Sequence, residues 1–248
     1  MKYVLQTFNR EIQDLDVFTV EFILKQCHFQ HSFIHADINE IGEPKFAGYI
    51  PIGSIPFVAQ WLESHHAVEQ MNPIEVPVCL RKEKYLGREY RILKGENLPN
   101  EGAFFVKDVS ALKTMSFSGS IENLHRSHIV KNGNLYQISG LVDIAAEYRI
   151  FVDGMNIEAI CLYNGDCKTF PDATLVQEMV DVYTASNEAP LSYTMDVAVL
   201  KNGRTVILEI HPVTSVGLYG YNSRALAYMY KEGIEYYIGH NHKLKESA

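Results

Sequence analysis

The chain has 248 residues, a formal net charge of −8, and 47% hydrophobic against 21% charged residues. With 15 Tyr and 12 Phe it carries too much apolar and aromatic mass for a disordered chain, and its acidic balance excludes the broad positive field that undirected nucleic-acid binding needs. No apolar run approaches the roughly 20 residues that span a bilayer, so no membrane role is expected.

Met1-Lys2-Tyr3-Val4-Leu5-Gln6 turns polar at once, unlike a secretory leader. Cys27, Cys79, Cys161 and Cys167 form no C-x-x-C pair, so reduced thiols and a cytoplasmic setting are the expectation.

Met1 to Phe8 alternates and reads as a strand; Phe18 to Cys27, with Phe18, Phe22 and Ile23 at helical spacing, reads as a helix. His31 to His35 is a second short strand. Gly48 to Pro56 holds two prolines and predicts a loop or edge segment. Ser54 then starts a helix with Pro56 in its first turn and Phe57, Val58, Trp61 and Leu62 on one side. This order predicts a small α/β layer with parallel pairing over residues 1–75, ending at the Asn72-Pro73 to Pro77 interruption.

Beyond it, over residues 76–248, the texture predicts an α+β region of mostly antiparallel strands. Ala103 to Lys107 is a strand, Val109 to Ile121 a loop, and Asn134 to Ser139 another strand. Glu147 to Val152 and Asn156 to Tyr163 form a hairpin turning at Asp153-Gly154. Pro171-Asp172 opens a helix through Tyr183. Ser192 to Leu200 and Thr205 to Ile210 form a second hairpin around Lys201 to Arg204, and Ser223 to Tyr230 is a last helix.

Four constellations could carry chemistry. Glu209 and His211 are two apart on a strand and share a face, and pairing across the turn brings Asp196 near them. Two carboxylates and an imidazole suit a divalent cation, although a solvated strand face with chance acids is the plainer account. Lys107 emerges where the apolar Ala103 to Val106 strand ends, with Lys113, Ser116, Ser118, Gly119 and Ser120 downstream. It can meet phosphate oxygens as a point charge, or merely snorkel to water. Glu147 and Arg149 share a strand face. They could pair with each other, or offer a carboxylate to ribose hydroxyls and a planar fork to a phosphate or carboxylate. Ser215 to Tyr221, with two glycines and two tyrosines, is a shaped loop or a plain turn. His65, His66, His240 and His242 show no ligand spacing.

The order of these parts resembles the ATP-grasp superfamily. The segment from Glu147-Tyr148-Arg149-Ile150-Phe151-Val152 through Gly217-Leu218-Tyr219-Gly220 looks most like its R2K clade, over residues 76 to 230. The resemblance implies an α+β fold of two subdomains gripping ATP, preceded by a small α/β pre-ATP-grasp domain. It implies Lys107 as the phosphate-binding lysine, Glu147 as the ribose acid, and Asp196 and Glu209 as metal acids. His211 stands where most such enzymes have Asn, so it touches phosphate or favours Mn²⁺ over Mg²⁺. Arg91 is the choice for the upstream basic residue among Arg81, Lys82, Lys84, Arg88 and Arg91; Gly140 and Leu141 border the adenine.

The implied activity is a carboxylate–amine or carboxylate–thiol ligase using ATP and acting through an acyl-phosphate, with Lys107 and Arg149 neutralising phosphate charge. Its partners are ATP, a small-molecule or peptide carboxylate, and an amine acceptor. Two rivals are a non-catalytic nucleotide-binding protein of this fold and a nucleotidyltransferase adenylated on Lys107. The latter is disfavoured because Lys107-Asp108-Val109 lacks the Gly of a K-x-D-G motif.

Overall fold

Alternating β-formers place Lys2–Thr7 (β1) at the centre of a small sheet, with Ser32–Asp37 (β2) and Ile50–Ile52 (β3) pairing on either side, both parallel. Tyr3 and Leu5 pack into one cluster and Val4 into another, so both faces are covered, as parallel sheets require. Pro51, which has no N–H to donate, sits in the edge strand β3. The computed structural model describes residues 1–26, 32–110 and 115–246, with side chains as far as 240. Cys27 and His31, expected to end a helix and start a strand, and Lys113 lie outside the described residues.

Helix α1 is Leu15–Gln26 and begins three residues before the expected Phe18. Asp14 caps it, its Oδ1 accepting from the N–H groups of Asp16 and Val17 at 2.8 and 3.0 Å. Its buried face is Val17, Val20, Ile23 and Leu24, whereas Phe18 and Phe22 point outward, 54% and 55% exposed. Of the three residues whose spacing predicted the helix, only Ile23 is buried. Helix α2 (Ile55–His66) does bury Phe57, Val58, Trp61 and Leu62. Ser54 stands at its N-cap, but the hydroxyl makes no capping bond.

A second sheet follows. After the short helix α3 (Glu83–Leu86) come β4 (Tyr90–Lys94), β5 (Ala103–Asp108), β6 (Ser116–Ser120), helix α4 (Ile121–Arg126) and β7 (Leu135–Gly140), in antiparallel order β4-β7-β5-β6. β6 corrects the loop expected over Val109 to Ile121. Its serines and glycine have weak strand propensity, but pairing with β5 (Lys107 opposite Ser116, Ala103 opposite Ser120) overrides it. β4 and α4 were not expected at all.

The third sheet has order β11-β10-β8-β9, built from β8 (Ile144–Asp153), β9 (Asn156–Gly165), β10 (Ser192–Leu200) and β11 (Thr205–Pro212). Both expected hairpins form, the first with Gly154 at φ +62° in its turn. Helix α5 (Ala173–Ala185) covers one face. Its Val176, Met179, Val180 and Tyr183 pack on Tyr148, Ile150, Val152, Met195 and Val197. Asp172 caps it, accepting from Thr174 and Leu175. The opposite face carries Glu147, Arg149 and Phe151 by strict alternation.

The last helix, α6 (Ala225–Glu246), is far longer than the expected Ser223 to Tyr230. It returns to the first sheet: Leu226, Ala227, Met229 and Tyr230 share a cluster with Tyr3, Leu5, Val20 and Leu24, while Ile234 and Tyr237 join Val4, Phe57 and Trp61. The parts on either side of residue 75 thus share two cores. Among the described residues no helix is long and apolar enough to cross a membrane.

Phe151 is the hinge of this shared packing. It is 0% exposed, sits in the α1–α6 cluster, and its ring lies 4.3 Å from that of Tyr221. Phe151→Ala is expected to lower stability by about 3–5 kcal/mol in urea unfolding. A loss below about 1 kcal/mol would show that this core collapses freely around the gap.

Candidate active site

The second and third sheets face each other across a cleft of about 790 Å³. From β5, Val106 turns into its own core at 0% exposure and Lys107, next in the alternation, turns into the cleft. From the facing sheet β11 presents Glu209 and His211. Glu209 lies directly opposite Asp196 on β10, and Asp196 directly opposite Arg149 on β8. A bulge makes this register possible. Leu208 is extra between the Asp196–Glu209 and Val197–Ile207 pairs, so Ile207 can pack in the core while Glu209, two residues on, faces the cleft.

Lys107 Nζ donates to Glu209 Oε2 at 2.5 Å, and His211 Nε2 lies 3.0 Å from Glu209 Oε1. Arg149 spreads its fork over Asp196, Nε and Nη2 each 2.8 Å from a carboxylate oxygen, and Nη1 donates to Gly217 O at 3.1 Å. Its guanidinium also lies 5.1 and 5.9 Å from the rings of Tyr219 and Tyr163, which stack at 5.0 Å. Glu147 accepts from Tyr163 Oη at 2.9 Å and Asn164 at 2.7 Å. The Glu147–Arg149 pair that the sequence allowed does not form.

Burial opposes the charge on Glu209, but His211 and Lys107 outweigh it and hold its carboxyl far below the usual range. At 1% exposure, burial raises the Asp196 carboxyl, with the Arg149 fork working against that rise. For Arg149 burial works against the charge and the Asp196 carboxylate wins, moving its pKa up.

The loop after β11 is strained where it borders the site. Ser215 and Tyr219 adopt left-handed φ of +51° and +49°, which side chains other than glycine rarely take. Ser215 Oγ donates to Gly53 O at 2.7 Å, tying the loop to the first sheet.

The structure brings Lys107, Glu147, Arg149, Glu209, His211, Gly140 and Leu141 to the wall of one cleft, with Asp196 beneath Arg149. Arg91 is not among the lining residues; its side chain is 51% exposed and only 3.9 Å from Glu89. Arg88 lines the cleft instead. It donates to Ile207 O at 2.7 Å and Leu208 O at 3.3 Å, pinning the bulge, and burial brings its pKa down to about 10. Sequence reasoning passed over Tyr163, which carried no motif, whereas Tyr219 belongs to the Ser215 to Tyr221 loop that it did single out.

The donor set fits a divalent cation. Ligand atoms of Asp196, Glu209 and His211 all lie within 4.8 Å of one another. A carboxylate offers about four lone pairs, so oxygens engaged by Arg149 or Lys107 retain capacity. As it stands, Lys107 and Arg149 balance Asp196 and Glu209.

The family model for the ATP-grasp domain, R2K clade family 2, matches residues 85–229, more than half of the chain. A sequence comparison with curated proteins finds no match. By structure the chain is similar to D-cycloserine synthetase DcsG (TM-score 0.57, 10% identity, covering 96% of this chain and 100% of that one). It is similar to the macrocyclase MdnC bound with precursor peptide MdnA from Microcystis aeruginosa MRC (TM-score 0.55, 12% identity, 92% and 99% covered). It is also similar to D-alanine–D-alanine ligase from Bacillus anthracis complexed with ATP (TM-score 0.54, 12% identity, 97% and 98% covered). At such identities the likeness speaks of the fold, which is the α+β ATP-grasp fold.

The low Glu209 pKa has a testable sign. A folded-state value below the ordinary 4.5 stabilises the fold fully above that pH and loses its effect as pH falls through the acid range. The stability gap between wild type and Glu209→Gln, followed by thermal unfolding against pH, is expected to be full near neutrality and to narrow below about pH 4.5. A gap that widens on acidification contradicts the assignment.

Proposed function

From the premise that the chain belongs to family 2 of the R2K clade of ATP-grasp domains, we propose that it is an ATP-dependent ligase joining a carboxylate to an amine. The observation that carries this is the contact between Lys107 and Glu209 at 2.5 Å, a cation and an acid from separate sheets meeting inside one cleft. ATP would lie there with adenine along the Ser139 to Val142 segment, bordered by Gly140 and Leu141, and ribose hydroxyls on Glu147. Lys107, released from Glu209, supplies a point charge to phosphate oxygens. Arg149 keeps Asp196 in place and adds positive charge beside the phosphates.

Asp196 and Glu209, with His211, would hold Mg²⁺, or Mn²⁺ since imidazole suits the softer ion. Bound there, the metal supplies charge neutralisation at the phosphates. In the reaction a substrate carboxylate oxygen attacks the γ-phosphorus, the bond to ADP breaks, and an acyl-phosphate forms. The amine nitrogen then attacks the acyl carbon. The C–O bond breaks, phosphate departs with the electron pair, and the nitrogen loses its surplus protons to solvent. No protein nucleophile is needed. Residues 1–75 are proposed as the pre-ATP-grasp part, contributing one wall of the acceptor side.

ADP release from full-length protein with MgATP is expected only when a carboxylate and an amine are both supplied, from panels of amino acids, short peptides and primary amines. Lys107→Ala is expected to cut that rate by about a hundredfold or more. Tight ATP binding without ADP across the panels would favour the non-catalytic reading. AMP formation with label retained on the protein in denaturing electrophoresis would favour adenylation of Lys107.

A further inference from the structure

A second cavity, of about 640 Å³, opens beside the cleft, and Ile55, Ser215 and Val216 line both. Its walls come from the first turn of α1, the β3–α2 corner and the loop after β11, with Tyr230 of α6 completing them. Among the described residues its charged lining is Asp14 and Asp16, with no lysine, arginine or histidine.

Each of these acids spends one oxygen on structure. Asp14 Oδ1 caps α1, and Asp16 Oδ2 accepts from Leu218 N at 3.2 Å, anchoring the strained loop. Among the described residues the other oxygen of each has no hydrogen bond. Tyr230 is an independent pointer. It is 3% exposed and lines the cavity, yet its hydroxyl has no hydrogen-bond partner among the described residues. Unlike the enclosed hydroxyls of Tyr90 and Tyr193, that of Tyr230 is open to the cavity and keeps its donor and acceptor capacity for a ligand there. Burial, then Asp16 and Asp14, push the Tyr230 phenol up, and Arg149 acts on both Asp16 and Tyr230. This negative corner therefore stands immediately behind the arginine of the nucleotide cleft.

Two carboxylates with no basic residue among the described lining, and Arg149 already engaged by Asp196, select a cation. The flanking rings of Tyr219 and Tyr230 favour an organic ammonium over a metal, since aromatic faces attract such cations and offer no hard oxygen cage. We infer that the second cavity is the acceptor site and that the acceptor amine binds as its ammonium, held by Asp16 and Asp14 with the Tyr230 hydroxyl as a further contact. The inference rests on the ligase reading above and names the class of its amine substrate. The shared edge at Ile55, Ser215 and Val216 gives the nitrogen its way to the acyl carbon.

The test uses full-length protein with MgATP and the carboxylate panel, supplied either with hydroxylamine, mostly uncharged at neutral pH, or with glycinamide, ethanolamine or putrescine, mostly ammonium. Asp16→Asn keeps an oxygen for the Leu218 N–H. It is expected to raise KM for the ammonium acceptor by about tenfold to a hundredfold while hydroxylamine-dependent ADP release stays within about twofold. Tyr230→Phe is expected to raise the same KM by about threefold to tenfold, and serves if Asp16→Asn does not fold. Equal losses with both nucleophiles, or an unchanged KM in both variants, overturn the acceptor assignment alone. So does thermal stabilisation by Mg²⁺ or Ca²⁺ without ATP that Asp16→Asn abolishes. Absence of ADP with either nucleophile in the wild type overturns the ligase reading, and this one with it.

Discussion

Lys107 and Glu209, 102 residues apart, meet at 2.5 Å across the gap between two sheets with largely separate cores, only Tyr90 of β4 packing against the core of the third sheet. What the two sheets share inside the cleft itself is this charge pair. The details around the pair serve to aim it. Alternation buries Val106 and frees Lys107. The Leu208 bulge turns Glu209 away from the core that holds Ile207, and Arg88 pins that bulge through the carbonyls of Ile207 and Leu208. Partly buried ion pairs contribute little net stability once desolvation is counted. A pair held with this much supporting structure is better understood as a prepared site than as a staple.

The cluster is balanced as it stands, Lys107 and Arg149 against Asp196 and Glu209. That balance constrains what can enter. A metal ion alone would face two cations already in place, and a triphosphate alone would face two acids. On the proposed reading the two together would exchange partners, phosphate oxygens taking Lys107 and the metal taking Glu209, so that no charge would be left buried and unpaired. Arg149 has a different position. It is fixed by both Asp196 oxygens, by Gly217 O and by two tyrosine rings, of which Gly217 and Tyr219 also line the second cavity. The arginine lines the first cleft and not the second cavity, which it reaches only through Gly217 and Tyr219.

Much of this was legible because local chemistry determined it. The Asp153-Gly154 and Lys201 to Arg204 turns marked both hairpins, and the two-residue period put Glu209 and His211 on one face. What was not legible depended on distant partners. The Ser/Gly-rich β6 is a strand only because β5 pairs with it, and α1 shows its buried face only once Asp14 is recognised as its cap. Arg88 could not be separated from Arg91 by sequence, since the choice depends on carbonyls of residues 207 and 208 in another sheet. The second cavity draws on residues near 14, 54, 217 and 230, and no single stretch of sequence carried its pattern.

The central claim is that Lys107 and Glu209 guard a shared nucleotide–metal site, and calorimetric titration of ATP with and without Mg²⁺ or Mn²⁺ tests it most directly. Mutual dependence is the predicted result: metal tightens ATP binding by tenfold or more, ATP tightens metal binding by the same factor, and Glu209→Ala removes the coupling, within the roughly 1–3 kcal/mol usual for linked sites. Tight binding of either component, indifferent to the other and to Glu209, would contradict the account.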